Sequence, residues 1–477
     1  MVGPNFHKPM PPRVKGYEER PRLPAKTAQI LAPGGQAQVF LHNTDVPLLW
    51  WELYRSPEIN KLIRRGLACN PNVAAATAAL RLAQENLNVQ VGNLLFPAVD
   101  ANASAQRQRY STVAIGGGDV TNRPKAFTFN LYNVSVNATY NLDVWGGSRR
   151  QIESFAAKVD YQQFQVIATY LTLTSNIVTT AVTVASLQAQ INVTKLLIRQ
   201  QQTLYNILKT QFNLGAISMA SVFTQQTLLE QSKATLPPLE KALSNNKHAL
   251  TALVGAFPDE ELPKLDLNKM KLPIGIPVSL PSMLVRQRPD IRAAEATMHA
   301  ALAEIGVATA NLLPQITLTA SYGFVSSKLS NLFSHQSSIW SIMAQAAQPI
   351  FHGGALLAQR RANINAYQQA EAQYRQTVLQ AFRNVADVLR ALETDARALK
   401  AQVIAENAAR QALNLTMQQY RLGAANYINL LNNQQQYEQT RLNRIKAQAT
   451  RYADTAALFQ ALGGGWWHKP WCKKQCL

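Results

Sequence analysis

The sequence predicts a mixed α/β membrane protein in which amphipathic strands join very long coiled-coil helices. Three observations lead there. The chain repeats itself, four segments alternate apolar and polar residues, and two stretches of nearly seventy residues lack both Gly and Pro. The repeat is carried by anchors kept in order. Asn70–Pro71–Asn72–Val73 and Arg288–Pro289–Asp290–Ile291 each open a helical stretch, and these run on to Asn93–Leu94–Leu95–Phe96–Pro97 and Asn311–Leu312–Leu313–Pro314. Gln211–Phe212–Asn213–Leu214–Gly215–Ala216 matches Gln419–Tyr420–Arg421–Leu422–Gly423–Ala424, and Gly146–Gly147 matches Gly353–Gly354. The offsets of 218, 208 and 207 describe a tandem duplication.

Each half reads as helix, strand, strand, very long helix, helix. Repeat 1 covers 67–257, with strands about 98–110 and 127–143, a long helix over 148–214 and a returning helix over 219–257. Repeat 2 covers 289–462, with strands about 315–325 and 338–350, a long helix over 355–422 and a returning helix over 425–462. Segments 1–66, 258–288 and 463–477 form a mixed equatorial part. Pro71 and Pro289 suit a first helical turn, where no amide partner is lost. Strict alternation marks the strands: Val134, Val136, Ala138, Tyr140 and Leu142 against Ser135, Asn137, Thr139, Asn141 and Asp143, for example. Gly116–Gly117–Gly118–Asp119 reads as a hairpin loop between the first two strands. The long helices would each span about 100 Å at 1.5 Å per residue. Their apolar stripes, such as Val378, Phe382, Val385, Leu389, Leu392, Ala396, Leu399 and Val403, step by threes and fours in a seven-residue repeat. Gly215 and Gly423 suit helix C-termini.

Four strands of this length match barrel strands crossing a bilayer, but open edges cannot face hydrocarbon. Other copies of the chain must therefore close the sheet, giving eight, twelve or sixteen strands, and an open lumen favours three copies or more. Composition narrows the classes further. With 47% hydrophobic and 16% charged residues the chain is not disordered. No apolar run approaches the roughly 20 residues of a membrane-spanning helix, so insertion by helices is not expected. The net charge of +20 is spread thinly, with one tight cluster at Lys469, Lys473 and Lys474, which speaks against nucleic acid. Three cysteines are too few for a disulfide scaffold; Cys472 and Cys476 either pair or stay free, and Cys69 stands alone. Seven histidines lack metal-ligand spacing, and neither a nucleophile elbow nor a phosphate loop is present, so no enzyme, metal or cofactor is expected. His352 reads as a strand-to-helix corner, and Trp466, Trp467 and Trp471 as a tail packed on the helices or an amphipathic interface.

The stretch Leu280–Pro281–Ser282–Met283–Leu284–Val285–Arg286–Gln287–Arg288–Pro289–Asp290–Ile291–Arg292–Ala293–Ala294–Glu295 resembles the linker of TolC-like outer-membrane efflux channels. Val2–Gly3–Pro4–Asn5–Phe6, Pro349–Ile350–Phe351–His352–Gly353–Gly354 and Gln419–Tyr420–Arg421–Leu422–Gly423 resemble further motifs of its NodT-type lipoprotein branch. The resemblance runs from Val2 to about Gly465. It implies a homotrimer in the outer membrane of a Gram-negative bacterium, with a twelve-stranded barrel and a twelve-helix periplasmic tunnel. It also implies a periplasmic adaptor (membrane fusion) protein and an inner-membrane resistance–nodulation–division transporter as partners, with outer-membrane lipid around the barrel. Members of that branch carry a lipid-bearing Cys just before Val–Gly–Pro. Met1 stands there in this sequence, so the chain as written lacks that anchor.

The resemblance also suggests where passage is controlled. In the family the periplasmic tip is closed by a tyrosine–arginine network and rings of aspartate. Tyr420 matches the tyrosine, Ala425 stands at the arginine, Ala220 and Ser221 stand at its partners, and Asn429 and Asn432 match the acidic rings. The expected gate is therefore Tyr420, Arg421, Asn429, Leu430 and Asn432, with Leu431 packing beside them. Leu214, Gly215, Leu422 and Gly423 form the expected adaptor-docking tip. The asparagines have a second reading, as caps of a helical turn. The leading function is a passive exit duct for drugs or other small toxic compounds. The competing readings are a duct for an ATP-driven peptide or protein exporter and a soluble coiled-coil adaptor; the four alternating strands oppose the latter.

Overall fold

The computed structural model describes all residues except 13, 15, 18–23, 43, 112–125, 280 and 469–477. The Gly116–Gly118 loop and the tail with Trp471, Cys472 and Cys476 lie outside the described residues. In chain order the elements are β1 (Val39–His42), α1 (Pro57–Cys69), α2 (Pro71–Leu95), β2 (Ala98–Ser111), β3 (Ala126–Leu142), α3 (Gly147–Asn213) and α4 (Met219–Leu253). There follow β4 (Gly275–Val278), α5 (Pro281–Gln287), α6 (Pro289–Ala310), β5 (Gln315–Ser326), β6 (Ser338–Ala347), α7 (Ala355–Arg421) and α8 (Tyr427–Ala461). They group into two compact units. One comprises 1–8, 80–161 and 294–374; the other comprises 9–79, 162–293 and 375–477.

The first unit is built on an antiparallel sheet in the order β2-β3-β5-β6. Its register aligns rows across all four strands. Val99, Ala138, Ala320 and Ile342 form one row, and Ala101, Val136, Tyr322 and Trp340 form the next on the same face. The opposite face carries Asp100, Asn137, Ser321 and Ser341, then Asn102, Ser135, Gly323 and Ile339. A period of two thus sorts an apolar face from a mainly polar one, with Ile339 the exception among these rows. Gly323 is required by contact: a Cβ there would sit 2.6 Å from that of Ser135. β2 and β6 are the edges, and in the single chain Ile342 is 78% exposed and Trp340 73%. At the end of β3, the carboxylate of Asp143 accepts from the amides of Ser148 and Arg149, both at 3.1 Å, and so caps the start of α3. Buried Arg150 holds the N-terminal segment, donating to Val2 O (3.2 Å) and Asn5 Oδ1 (2.6 Å), while Phe6 stacks on His299 at 4.2 Å.

In the second unit β1 and β4 pair in parallel, and α8 supplies much of the core. Trp50, Tyr54, Tyr452 and Phe459 are buried together. Trp50 stacks on Phe459 at 5.2 Å, and Tyr54 donates its hydroxyl to Tyr452 O at 2.8 Å. Arg451 is fully buried and donates to Gly34 O (2.7 Å), Gln36 O (2.8 Å) and Thr27 Oγ1 (2.9 Å). The linker motif has a mechanical explanation. Arg288 grips both oxygens of Asp290 (3.0 and 2.6 Å) and donates to Ala461 O at 2.9 Å, tying the first turn of α6 to the end of α8. Trp466 donates to Gln287 O at 2.6 Å and meets Phe164 edge-on, so the described part of the tail packs on the helices.

Two readings are corrected by the structure. The returning helix α4 ends at Leu253 rather than at 257, because Gly255 adopts φ +72° and breaks the ladder. It runs through Pro237 and Pro238, giving up two amide donors on the way. The expectation that no stretch reaches membrane-spanning apolarity also fails. α3 contains an 18-residue window with a mean hydropathy of 1.3. Half of that window is buried inside the protein, which fits a packed core helix. His352 forms a turn, its carbonyl accepting from the Ala355 amide at 3.0 Å.

Candidate functional site

The two helical hairpins end in the same backbone device. At the α3–α4 turn the Gly215 amide donates to Phe212 O (2.8 Å) and the Ala216 amide to Gln211 O (2.9 Å). At the α7–α8 turn the Gly423 amide donates to Tyr420 O (3.0 Å) and the Ala424 amide to Gln419 O (2.8 Å). This Schellman pattern needs a left-handed residue after the helix, and the two glycines have φ +76° and +75°. Leu214 and Leu422, the last side chains before each glycine, are 79% and 83% exposed. Such apolar groups held open on a tight turn suit a contact surface.

Behind the turns a polar chain crosses the helices. The Tyr427 hydroxyl, on the first turn of α8, donates to Gln225 Oε1 on α4. Gln225 is fully buried and passes its own Nε2 hydrogen to Gln201 O on α3 at 3.0 Å. Tyr420 on α7 completes the set, its ring 6.1 Å from that of Tyr427. The network therefore touches α3, α4, α7 and α8. Burial, with Tyr420 alongside, raises the Tyr427 phenol well above its ordinary range, so it stays a donor at any physiological pH. The buried Oε1 of Gln201 has no partner among the described residues, so the chain of bonds is incomplete at that end.

The sequence-predicted residues fall on both sides of this network. Tyr420 joins it through ring packing. Arg421 is exposed at the end of α7 and approaches Met417 Sδ at 3.9 Å. Asn429 and Asn432 are exposed, and among the described residues neither side chain hydrogen-bonds to Tyr420. The capping role belongs to a neighbour: Asn426 Oδ1 accepts from the Asn429 amide at 2.9 Å. Leu430 and Leu431 are buried within the chain's own packing. Asn433 adds a further link, donating to Thr416 Oγ1 on α7 at 2.7 Å. Sequence reasoning missed Tyr427 and Gln225 as partners. The available signal was Gln225 standing between Val222 and Leu229 at core spacing, where a polar side chain needs a bonding partner.

Strands that present one apolar face and two open edges, together with paired helical hairpins of this length, define an outer-membrane channel assembled from several chains. The description "Outer membrane efflux protein" matches residues 62–256 and 280–464, and the chain belongs to that family. The pyoverdine export outer membrane protein OpmQ of Pseudomonas putida is 29% identical over 423 residues, covering 87% of this chain and 88% of that protein. The toluene efflux pump outer membrane protein TtgF of Pseudomonas putida is 29% identical over 438 residues, covering 88% and 86%. The open state of the Neisseria gonorrhoeae MtrE outer membrane channel superposes with a TM-score of 0.81 at 25% identity, covering 97% of this chain and 98% of that one. The fold class is therefore a trimeric channel: three chains supply four strands each to a twelve-stranded barrel, and their helices build a helical barrel. The protein resides in the outer membrane of a Gram-negative bacterium. The family is one of transport proteins, not enzymes.

Proposed function

We propose that the chain is the exit duct of a tripartite efflux pump, passively conducting drugs or other small toxic compounds from periplasm to exterior and closed at the periplasmic hairpins. The observation that carries the gate is the Tyr427–Gln225–Gln201 chain, which joins α8 to α4 and α3 behind the two turns. Opening requires the α7–α8 hairpin to part from the α3–α4 hairpin, and the half-buried Tyr427–Gln225 bond is what that motion must break. A hydrogen bond of this kind contributes about 0.5–1.5 kcal/mol net, enough for a few-fold change in the open population per chain. Asn429 and Asn432 line the mouth without carboxylates, so divalent cations should block it weakly. Leu214, Gly215, Leu422 and Gly423 offer the adaptor its contact. Uptake of a large polar antibiotic in cells making Tyr427→Phe tests the gate. Uptake above that of cells making the unaltered protein is expected; equal uptake at equal trimer abundance would overturn the gate.

A further inference from the structure

Charge is distributed unevenly along the hairpins. In 196–229 and 407–437 the sequence holds Arg199, Lys209, Arg410 and Arg421 and no Asp or Glu at all. All four cations are exposed. Among the described residues none pairs with a carboxylate: Arg410 donates to Asn407 Oδ1 at 3.0 Å, and Arg421 reaches only Met417 Sδ. Solvated helix faces ordinarily intersperse both signs, and the rest of these helices do so. The carboxylates nearest the hairpins are already neutralised. Glu230 is held by Lys233 at 2.9 Å, Glu240 by Lys195 at 3.0 Å and Glu406 by Arg444. Glu438 is buried, and that burial raises its pKa.

Three copies of the chain place twelve such cations on the hairpins, with Lys209 and Arg421 nearest the turns and Arg199 and Arg410 about 20 Å up the helices from them. Each charge alone is screened beyond about 8 Å at physiological salt. Many of one sign around a narrow mouth with low-dielectric walls overlap, however, and focus a positive potential on the axis. Rings of Arg and Lys select anions in pores for this reason. We propose that the hairpin mouth is an anion-selective entrance, and that the compounds admitted most readily are small organic anions bearing carboxylate, sulfonate or phosphate groups. This rests on the duct reading and deepens it by naming a substrate class.

The test is the reversal potential of purified trimers in planar bilayers under a tenfold KCl gradient. Chloride should permeate more readily than potassium. The triple variant Lys209→Glu, Arg410→Glu, Arg421→Glu should lower that ratio at least threefold or invert it. Lys247→Glu, an exposed cation higher on α4, should leave the ratio unchanged. Cation preference in the unaltered protein, or a ratio unmoved by the triple variant, would overturn the proposal while leaving the duct intact. An equal shift from Lys247→Glu would also overturn it, because the effect would not be local to the mouth. Trimers that conduct nothing, even with Tyr427→Phe, would overturn the duct reading and this proposal with it.

Discussion

α3 and α7 descend from one duplicated element, have 67 residues each and stop at the same glycine turn, yet they are packed differently. α7 keeps a single buried stripe in which Val378, Val385, Leu392 and Leu399 recur every seven residues, joined by Leu389, Ala396 and Val403. Between Leu173 and Thr194, α3 is buried on several sides, with Ser175, Ser186, Gln190 and Thr194 inside as well as Ile177, Val178 and Ile191. Duplication has conserved length and cap geometry, which the backbone dictates, while circumference was free to diverge. A helix that is apolar or small-polar all round is a core element, and one with a single stripe presents its other faces elsewhere.

Substitutions in the helix core should have the largest effects. Val178→Asp places a charge at a position with no exposure and should abolish folded trimer, whereas Leu379→Asp, on an exposed face of α7, should leave the helical content of the chain intact. Truncations scale the same way: Ile177→Ala and Leu392→Ala should each cost about 2–5 kcal/mol, and Leu379→Ala under about 1 kcal/mol unless another chain covers it. Denaturant titration of detergent-solubilised protein reads both. A loss of the chain's helical content with Leu379→Asp would show that α7 is packed like α3.

The glycine turns should respond alike in the two halves. Gly215→Ala and Gly423→Ala should each cost about 1–2 kcal/mol, because φ is left-handed at both; a Cβ meets nothing within 4 Å at either, so the cost is backbone alone. The caps that follow should differ. Asn426→Ala should cost about 1 kcal/mol, since its side chain caps α8, while Ser218→Ala should cost close to nothing, since Ser218 makes no such bond to α4. Equal losses from the two alanines would show that the halves are capped alike.

A smaller, pH-dependent effect sits at Asp395 in the second half. Burial and the neighbouring Asp454 carboxylate push Asp395 up to about 7, with Arg451 opposing. The folded state then binds the proton more tightly than the unfolded one. Its favourable contribution is full below about pH 4 and is lost as pH rises toward 7. Stability should therefore fall across that window, and Asp395→Asn should flatten the profile. An unchanged slope in the variant would assign the pH dependence to other groups.

The strands were legible because a period of two leaves little freedom: the rows through Val136 and Asn137 follow from alternation alone once the pairing is set. The glycine turns were legible because few residues other than Gly occupy a left-handed cap comfortably. The all-round burial of α3 was not, since Ser, Thr and Gln at core positions look solvated in a sequence. Nor was the Tyr427–Gln225 bond, which joins residues 202 apart and depends on how two hairpins lie together. Even the cap was displaced by three residues, from Asn429 to Asn426, because only the start of α8 decides which asparagine precedes the first turn.

In the proposed duct one half-buried bond between α8 and α4 holds the periplasmic end closed. The most direct test is single-channel conductance of purified trimers in planar bilayers for the unaltered protein, Tyr427→Phe, Gln225→Ala and the double variant. A low conductance that rises by a similar amount in all three variants is the predicted result, since each removes the same bond. Conductance unchanged in the single variants, or a double variant in which the two effects simply add, would show that Tyr427 and Gln225 do not act as one latch.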